Sequence, residues 1–130
     1  MKKTALNLVL ILFTSSGCAA IVIAGASGAI VYTVTNIAYK TTSYPFSHVE
    51  AATYTTLKNM GVVEVGKKDI ENGIKIIAKT PNLKIYIDLE RITTKTTKIS
   101  VDAQENIILK DRATATEIIE QTERILEGRK

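Results

Sequence analysis

The chain has one cysteine, one histidine, no tryptophan and two prolines among its 130 residues. A single cysteine cannot close an intrachain disulfide, so no such staple holds the fold. A lone histidine, His48, has no second imidazole with which to share a metal. No HExxH, paired-cysteine or glycine-rich phosphate signature occurs either, since the "GASG" run lacks the flanking strand and helix that a phosphate turn requires. No metal or cofactor is therefore expected. Aromatic residues are only 5% of the chain and offer few stacking platforms. The 17 Lys and Arg are interleaved with 13 Asp and Glu rather than clustered, so nucleic acid is not an expected partner.

Charge is also missing from one long stretch. After Lys2 and Lys3 the next charged residue is Lys40, so residues 4–39 carry none. Without the two leading lysines, 15 basic residues face 13 acidic ones, and the formal charge falls from +4 to +2. What remains is nearly balanced, and its composition is that of one globular domain: 45% of residues are hydrophobic and 23% charged, in a chain too short for two ordinary domains.

The first seventeen residues have the three parts of a secretory leader: a basic start, an apolar run from Ala5 to Phe13, and the small-residue stretch "TSSG". An apolar run of that length is too short to cross a bilayer, which takes roughly 20 residues. Cys18 follows directly. This order resembles the bacterial lipoprotein signal, in which the cysteine after the lipobox is acylated and becomes the new N-terminus. Ser16 and Gly17 fit that pattern, whereas Ser15 stands where an aliphatic residue is usual. The other possibility for Cys18 is an inert thiol in a spanning segment. The run after it is interrupted by Gly25, Ser27 and Gly28 and is rich in weakly hydrophobic Ala and Gly. The expected organisation is a signal peptide over 1–17, a lipidated Ala/Gly tether over 18–29 and one domain over 30–130. A second spanning helix within 19–39 is the alternative.

The domain reads as α+β. Ile30 to Thr41 is a β-branched first strand. Ser47 and Glu50 form a capping box for a helix whose inner stripe is Val49, Ala52, Thr53, Thr56, Leu57 and Met60, ended by Gly61. His48 then lies in an exposed first turn without triad partners. Two β-rich runs meet at Asn72-Gly73, the signature of a type I′ hairpin. After Thr80-Pro81-Asn82, strict alternation sends Leu83, Ile85, Ile87 and Leu89 to one face and Lys84, Tyr86, Asp88 and Glu90 to the other. Thr97, Ile99 and Val101 repeat the inward pattern. A second capping box at Thr114 and Glu117 opens a last helix with the stripe Ile118, Ile119, Thr122, Ile125 and Leu126. The expected fold is an antiparallel meander in the order β-α-β-β-β-β-α, with both helices on the single apolar face.

A cysteine followed by an Ala/Gly run, a helix ending "LKNMGV", the "ENG" hairpin, an alternating strand after "TPNLK" and a C-terminal helix together resemble the Francisella small-lipoprotein family. That family is bacterial, has virulence-associated members and has no assigned biochemistry. The resemblance implies a lipoprotein anchored in the outer membrane and facing the periplasm or the cell surface. It also implies a helix-on-sheet fold similar to the pocket-bearing plant allergen fold. Ala19 stands where inner-membrane lipoproteins carry Asp, which favours the outer membrane. The "SVDAQENI" segment departs from relatives that tend to have glycines there.

Catalysis is not expected, because alternating charges such as Asp88, Glu90 and Lys84 are the ordinary pattern of a solvated sheet face. Two non-catalytic roles remain. A small apolar ligand between sheet and last helix would be lined by Leu83, Ile85, Ile87, Leu89, Ile99, Val101, Ile118, Ile119, Thr122 and Ile125. The same residues are also the core that any such domain needs. The alternative is an envelope protein that binds another protein through a sheet edge or its Thr-rich strands, and in either role the chain is expected to be a monomer.

Overall fold

A computed structural model of the chain describes residues 29–105 and 110–128. Cys18, the leader over 1–17 and the tether as far as residue 28 lie outside the described residues. The elements are β1 (Val31–Tyr32), β2 (Ala38–Thr42), α1 (Phe46–Asn59), β3 (Val63–Ile70), β4 (Gly73–Lys79), β5 (Lys84–Thr93), β6 (Thr96–Gln104) and α2 (Arg112–Gly128). All six strands belong to one antiparallel sheet, in the order β1-β2-β6-β5-β4-β3. The fold is α+β, with the expected succession of strands and helices.

The stretch from Ile30 to Thr41 contributes two strands rather than one continuous run. Thr33 folds it back: its amide donates to the Ile37 carbonyl at 2.9 Å, its carbonyl accepts from Asn36 at 2.9 Å, and its hydroxyl accepts from the Ile37 amide at 3.1 Å. Asn36 takes φ +62°, which its short polar side chain tolerates. The hairpin docks on the far end of the chain. β2 pairs with β6 from Ala38 opposite Val101 to Thr42 opposite Thr97. Tyr32 donates or accepts at 2.6 Å from the Thr116 hydroxyl of α2, while the Arg112 guanidinium lies 3.9 Å over its ring.

The junctions around the two helices and between β3 and β4 differ in chemistry. α1 begins one residue before the expected capping box: Pro45 is the N-cap, with a carbonyl that accepts from the His48 and Val49 amides at 3.1 Å. The Ser47–Glu50 box does not form, because Glu50 turns outward to pair with Lys67 of β3 at 3.1 Å. At the other end, the Val62 amide reaches the Leu57 carbonyl (2.9 Å) and the Gly61 amide that of Lys58 (3.2 Å), a Schellman closure in which Gly61 supplies φ +69°. The β3–β4 turn centres on Glu71 and Asn72 rather than Asn72-Gly73, and only Asn72 is left-handed, at φ +62°. Gly73 already belongs to β4. It must be glycine because a Cβ there would stand 1.8 Å from the Leu89 carbonyl oxygen. At the start of α2 the cap is Asp111, whose carboxylate accepts from the Thr114 amide and hydroxyl, both at 2.9 Å. Thr114 and Glu117 form no box. Glu117 instead accepts from Gln121 at 2.8 Å and from Arg124 at 3.0 Å, and chiefly the Gln121 bond holds its carboxyl below the usual carboxylate range.

Both helices cover one sheet face. Alternate residues of β4, β5 and β6 join Val49, Ala52 and Leu57 of α1 and Ala115, Ile118, Ile119 and Leu126 of α2 in one buried cluster. The helices meet at a polar point inside it. Thr122 donates to the Ile118 carbonyl at 2.8 Å, and its hydroxyl lies 3.0 Å from that of Thr56, with both side chains fully buried. At the rim Lys40, on the inner side of β2, pairs with Glu123 of α2 at 3.4 Å. On the opposite flank, the Glu50 hydrogen bond raises the Lys67 pKa. Burial, and then the charge of Glu64, raises that of the neighbouring Tyr54.

Candidate functional site

The structure brings the ten expected ligand-lining residues together, and it brings them together as core. Ile85, Ile87, Leu89, Ile99, Val101, Ile118, Ile119 and Thr122 are each 0% exposed. Only Leu83 and Ile125 are half-buried, at the margin of the cluster. The space between sheet and α2 is thus filled by the side chains that were candidates to line it.

Open volume lies elsewhere, at one end of the sheet. A cleft of about 900 Å³ is lined by Gly61 after α1, the turn from Thr80 to Leu83, the strand residues Val63, Lys79, Lys84, Tyr86 and Gln104, and Glu105 just after β6. Its floor is the last register row of four strands. Val63 faces Lys79, Lys79 faces Lys84, and Lys84 faces Gln104. The turn that sets this row is held by its own groups: the Thr80 hydroxyl accepts from the Asn82 amide (3.3 Å) and the Leu83 amide (3.0 Å), while the Thr80 amide donates to the Leu83 carbonyl (3.0 Å). Those backbone donors are therefore engaged, and the polar groups left to meet a ligand are the side chains of Lys79, Lys84, Asn82, Tyr86 and Glu105 and the side-chain oxygen of Gln104. Leu83 alone connects the cleft with the expected apolar site.

On the same outer face, a smaller hollow of about 280 Å³ continues from Tyr86 and Gln104 towards Lys75, Asp88, Ser100 and Asp102. Charges there are matched. Lys75 lies 3.5 Å from Asp88, and Lys110 donates to both carboxylate oxygens of Asp102 at 2.7 and 2.9 Å. Gln104 donates to the same carboxylate at 2.7 Å. The apparent acid–base group Asp88, Glu90, Lys84 and Tyr86 is spread along the outer face of β5, over successive rows. His48 is exposed in the first turn of α1. Among the described residues no three His, Cys, Asp or Glu side chains gather as metal ligands.

The cleft was partly within reach of the sequence. Recognising Thr80-Pro81-Asn82 as a hairpin turn places Lys79 beside Lys84, because antiparallel closure makes the residues flanking a turn neighbours. The contributions of Val63, Gly61 and Gln104 come from strand order and register, for which no local signal exists.

The fold and this cleft define, among the described residues, a small α+β domain with an open antiparallel sheet, a filled interior and a large hollow at the strand ends. The chain belongs to the family described as protein of unknown function (DUF3568), which it matches over residues 3–105. No curated protein matches it. Among the described residues no helix is long and apolar enough to cross a membrane.

Proposed function

We propose that the chain is a lipoprotein of the bacterial envelope, held at the outer membrane by acylation of Cys18, of the Francisella small-lipoprotein type. Its domain is a non-catalytic binding module for a small ligand with apolar character. The anchor rests on the uncharged stretch 4–39 and on the place of Cys18 directly after a leader. The family match begins at residue 3, so Cys18 lies within the part of the chain that the family shares.

The observation that carries the binding role is the contrast between a filled interior and an open cleft bordered by the apolar Val63, Pro81 and Leu83. A ligand in the cleft displaces no core side chain, whereas one between the sheet and α2 would have to separate fully buried residues. Leu83, half-buried at the margin of the core, gives an apolar chain lying in the cleft a surface to rest on.

An envelope protein as partner is the second reading, favoured by β3, which is an edge strand of the sheet among the described residues. Val63 and Val65 of β3 are 58% and 52% exposed there, and the strand has a register shift between Glu64 and Gly66. That shift and the charged Lys67 and Lys68 are features that discourage strand addition, so the cleft is preferred.

Metabolic labelling with a fatty acid tests the anchor. Cys18→Ala is expected to lose the label and its membrane attachment together, because additional acyl chains are what turn a marginal attachment into a stable one. Label retained on that variant would end the lipoprotein reading.

A further inference from the structure

On the outer face of the sheet, three successive register rows differ in how their charges are balanced. One row sets Lys75 against Asp88, and the next includes Asp102, which is neutralised by Lys110. The terminal row has Lys79 directly opposite Lys84 with Gln104 as the next neighbour, so it contains two positive charges and no carboxylate. Neither lysine lies within ion-pair distance of an acid among the described residues, including the acidic Glu105, which also lines the cleft. Like charges directly across a strand pair repel each other. An anion seated between them would remove that repulsion and gain two charge-assisted contacts.

The rest of the cleft is suited to a different kind of group. Val63 is exposed at one end of the row, and Pro81 and Leu83 stand beside it on the turn, so apolar surface adjoins the two ammonium groups within a single hollow of about 900 Å³. We infer that this cleft binds an acidic amphiphile, with the anionic head on Lys79 and Lys84 and the apolar stem along Val63, Pro81 and Leu83. The inference rests on the binding-module reading and adds to it the ligand's charge. It does not depend on the lipid at Cys18.

The test is calorimetric titration of the full chain, held in nanodiscs of uncharged lipid, with hexyl phosphate, inorganic phosphate and hexanol, each corrected against empty nanodiscs. Hexyl phosphate is expected to bind saturably and at least tenfold more tightly than either of the others, with an affinity that falls as salt is added. The Lys79→Gln/Lys84→Gln double variant should lose at least tenfold in that affinity, and Lys95→Gln, on an exposed turn outside the cleft, should lose none. Binding of inorganic phosphate as tight as that of hexyl phosphate would overturn the amphiphile. Equal binding of hexanol would overturn the anionic head while leaving an apolar binding module in place. Absence of saturable binding by any of the three would overturn the inference and the module's place in the cleft together. The ligand comparison and the salt dependence use the unaltered chain, so they decide the matter even if the double variant fails to fold.

Discussion

The two ends of the β4–β5 pair are built on opposite principles. At the β3–β4 turn the strands are drawn so close that the Leu89 carbonyl occupies the place of any Cβ on Gly73, and the Arg91 amide closes the end by donating to the Asn72 carbonyl at 2.8 Å. At the other end Lys79 and Lys84 face each other across the Thr80-Pro81-Asn82 turn, and the sheet opens into the cleft. Between the two ends the inner face of the pair is buried in the core cluster that both helices cover. The comparison separates regions where packing leaves no freedom from one where exposed side chains are held together by register alone. Changes in the first should be costly, and changes in the second should alter binding more than stability.

The largest effect is expected in the filled middle. Ile119→Ala should cost roughly 2–5 kcal/mol in chemical denaturation, the usual loss for a large buried aliphatic residue. A loss well below that range would mean that α2 rests on slack space, and would return the expected apolar site between sheet and helix to consideration. At the closed end, Gly73→Ala should cost about 1–3 kcal/mol, because the added methyl meets backbone rather than a side chain that can rotate away. A neutral outcome there would show that the strands spread at no cost, and the distinction between the two ends would fail. The smallest effect belongs to the open end. Lys84→Gln should leave stability unchanged or raise it by a few tenths of a kcal/mol, since it removes a like-charge neighbour from an exposed row. Measured destabilisation on that substitution would mean that the pair is tied into the fold by contacts beyond its register.

Much of the architecture was legible from local patterns. The alternation in β5 and β6, the stripe on each helix and the turn residues Gly61, Asn72 and Pro81 all act over a few residues, so they can be read in a line of text. The capping boxes were misplaced by a few residues for a physical reason. Ser47 and Glu50 have the right spacing, but Glu50 gains a cross-element partner in Lys67, and Pro45 supplies the first turn with a carbonyl instead. At α2, Asp111 lies nearer the true start than Thr114 and accepts both its amide and its hydroxyl. The stretch from Ile30 to Thr41 reads as one β-branched strand, and the hydrogen bonds of Thr33 together with Asn36 at φ +62° turn it into a hairpin.

By itself the sequence determined the α+β class, the inward residues of β5, β6 and both helices, the meander from β3 to β6, and an uncharged N-terminal region marked by Cys18. These follow from periodicity, composition and turn chemistry, which act within short windows of chain. Tertiary structure decided that β2 lies against β6, because pairing Ala38 with Val101 joins residues more than sixty positions apart and leaves no local trace. It also decided whether the ten apolar candidates enclose a space or fill it, a question of volume that hydrophobic pattern does not address. And only the register of four strands set Val63, Lys79, Lys84 and Gln104 in one row, making two turn-flanking lysines the floor of a cleft.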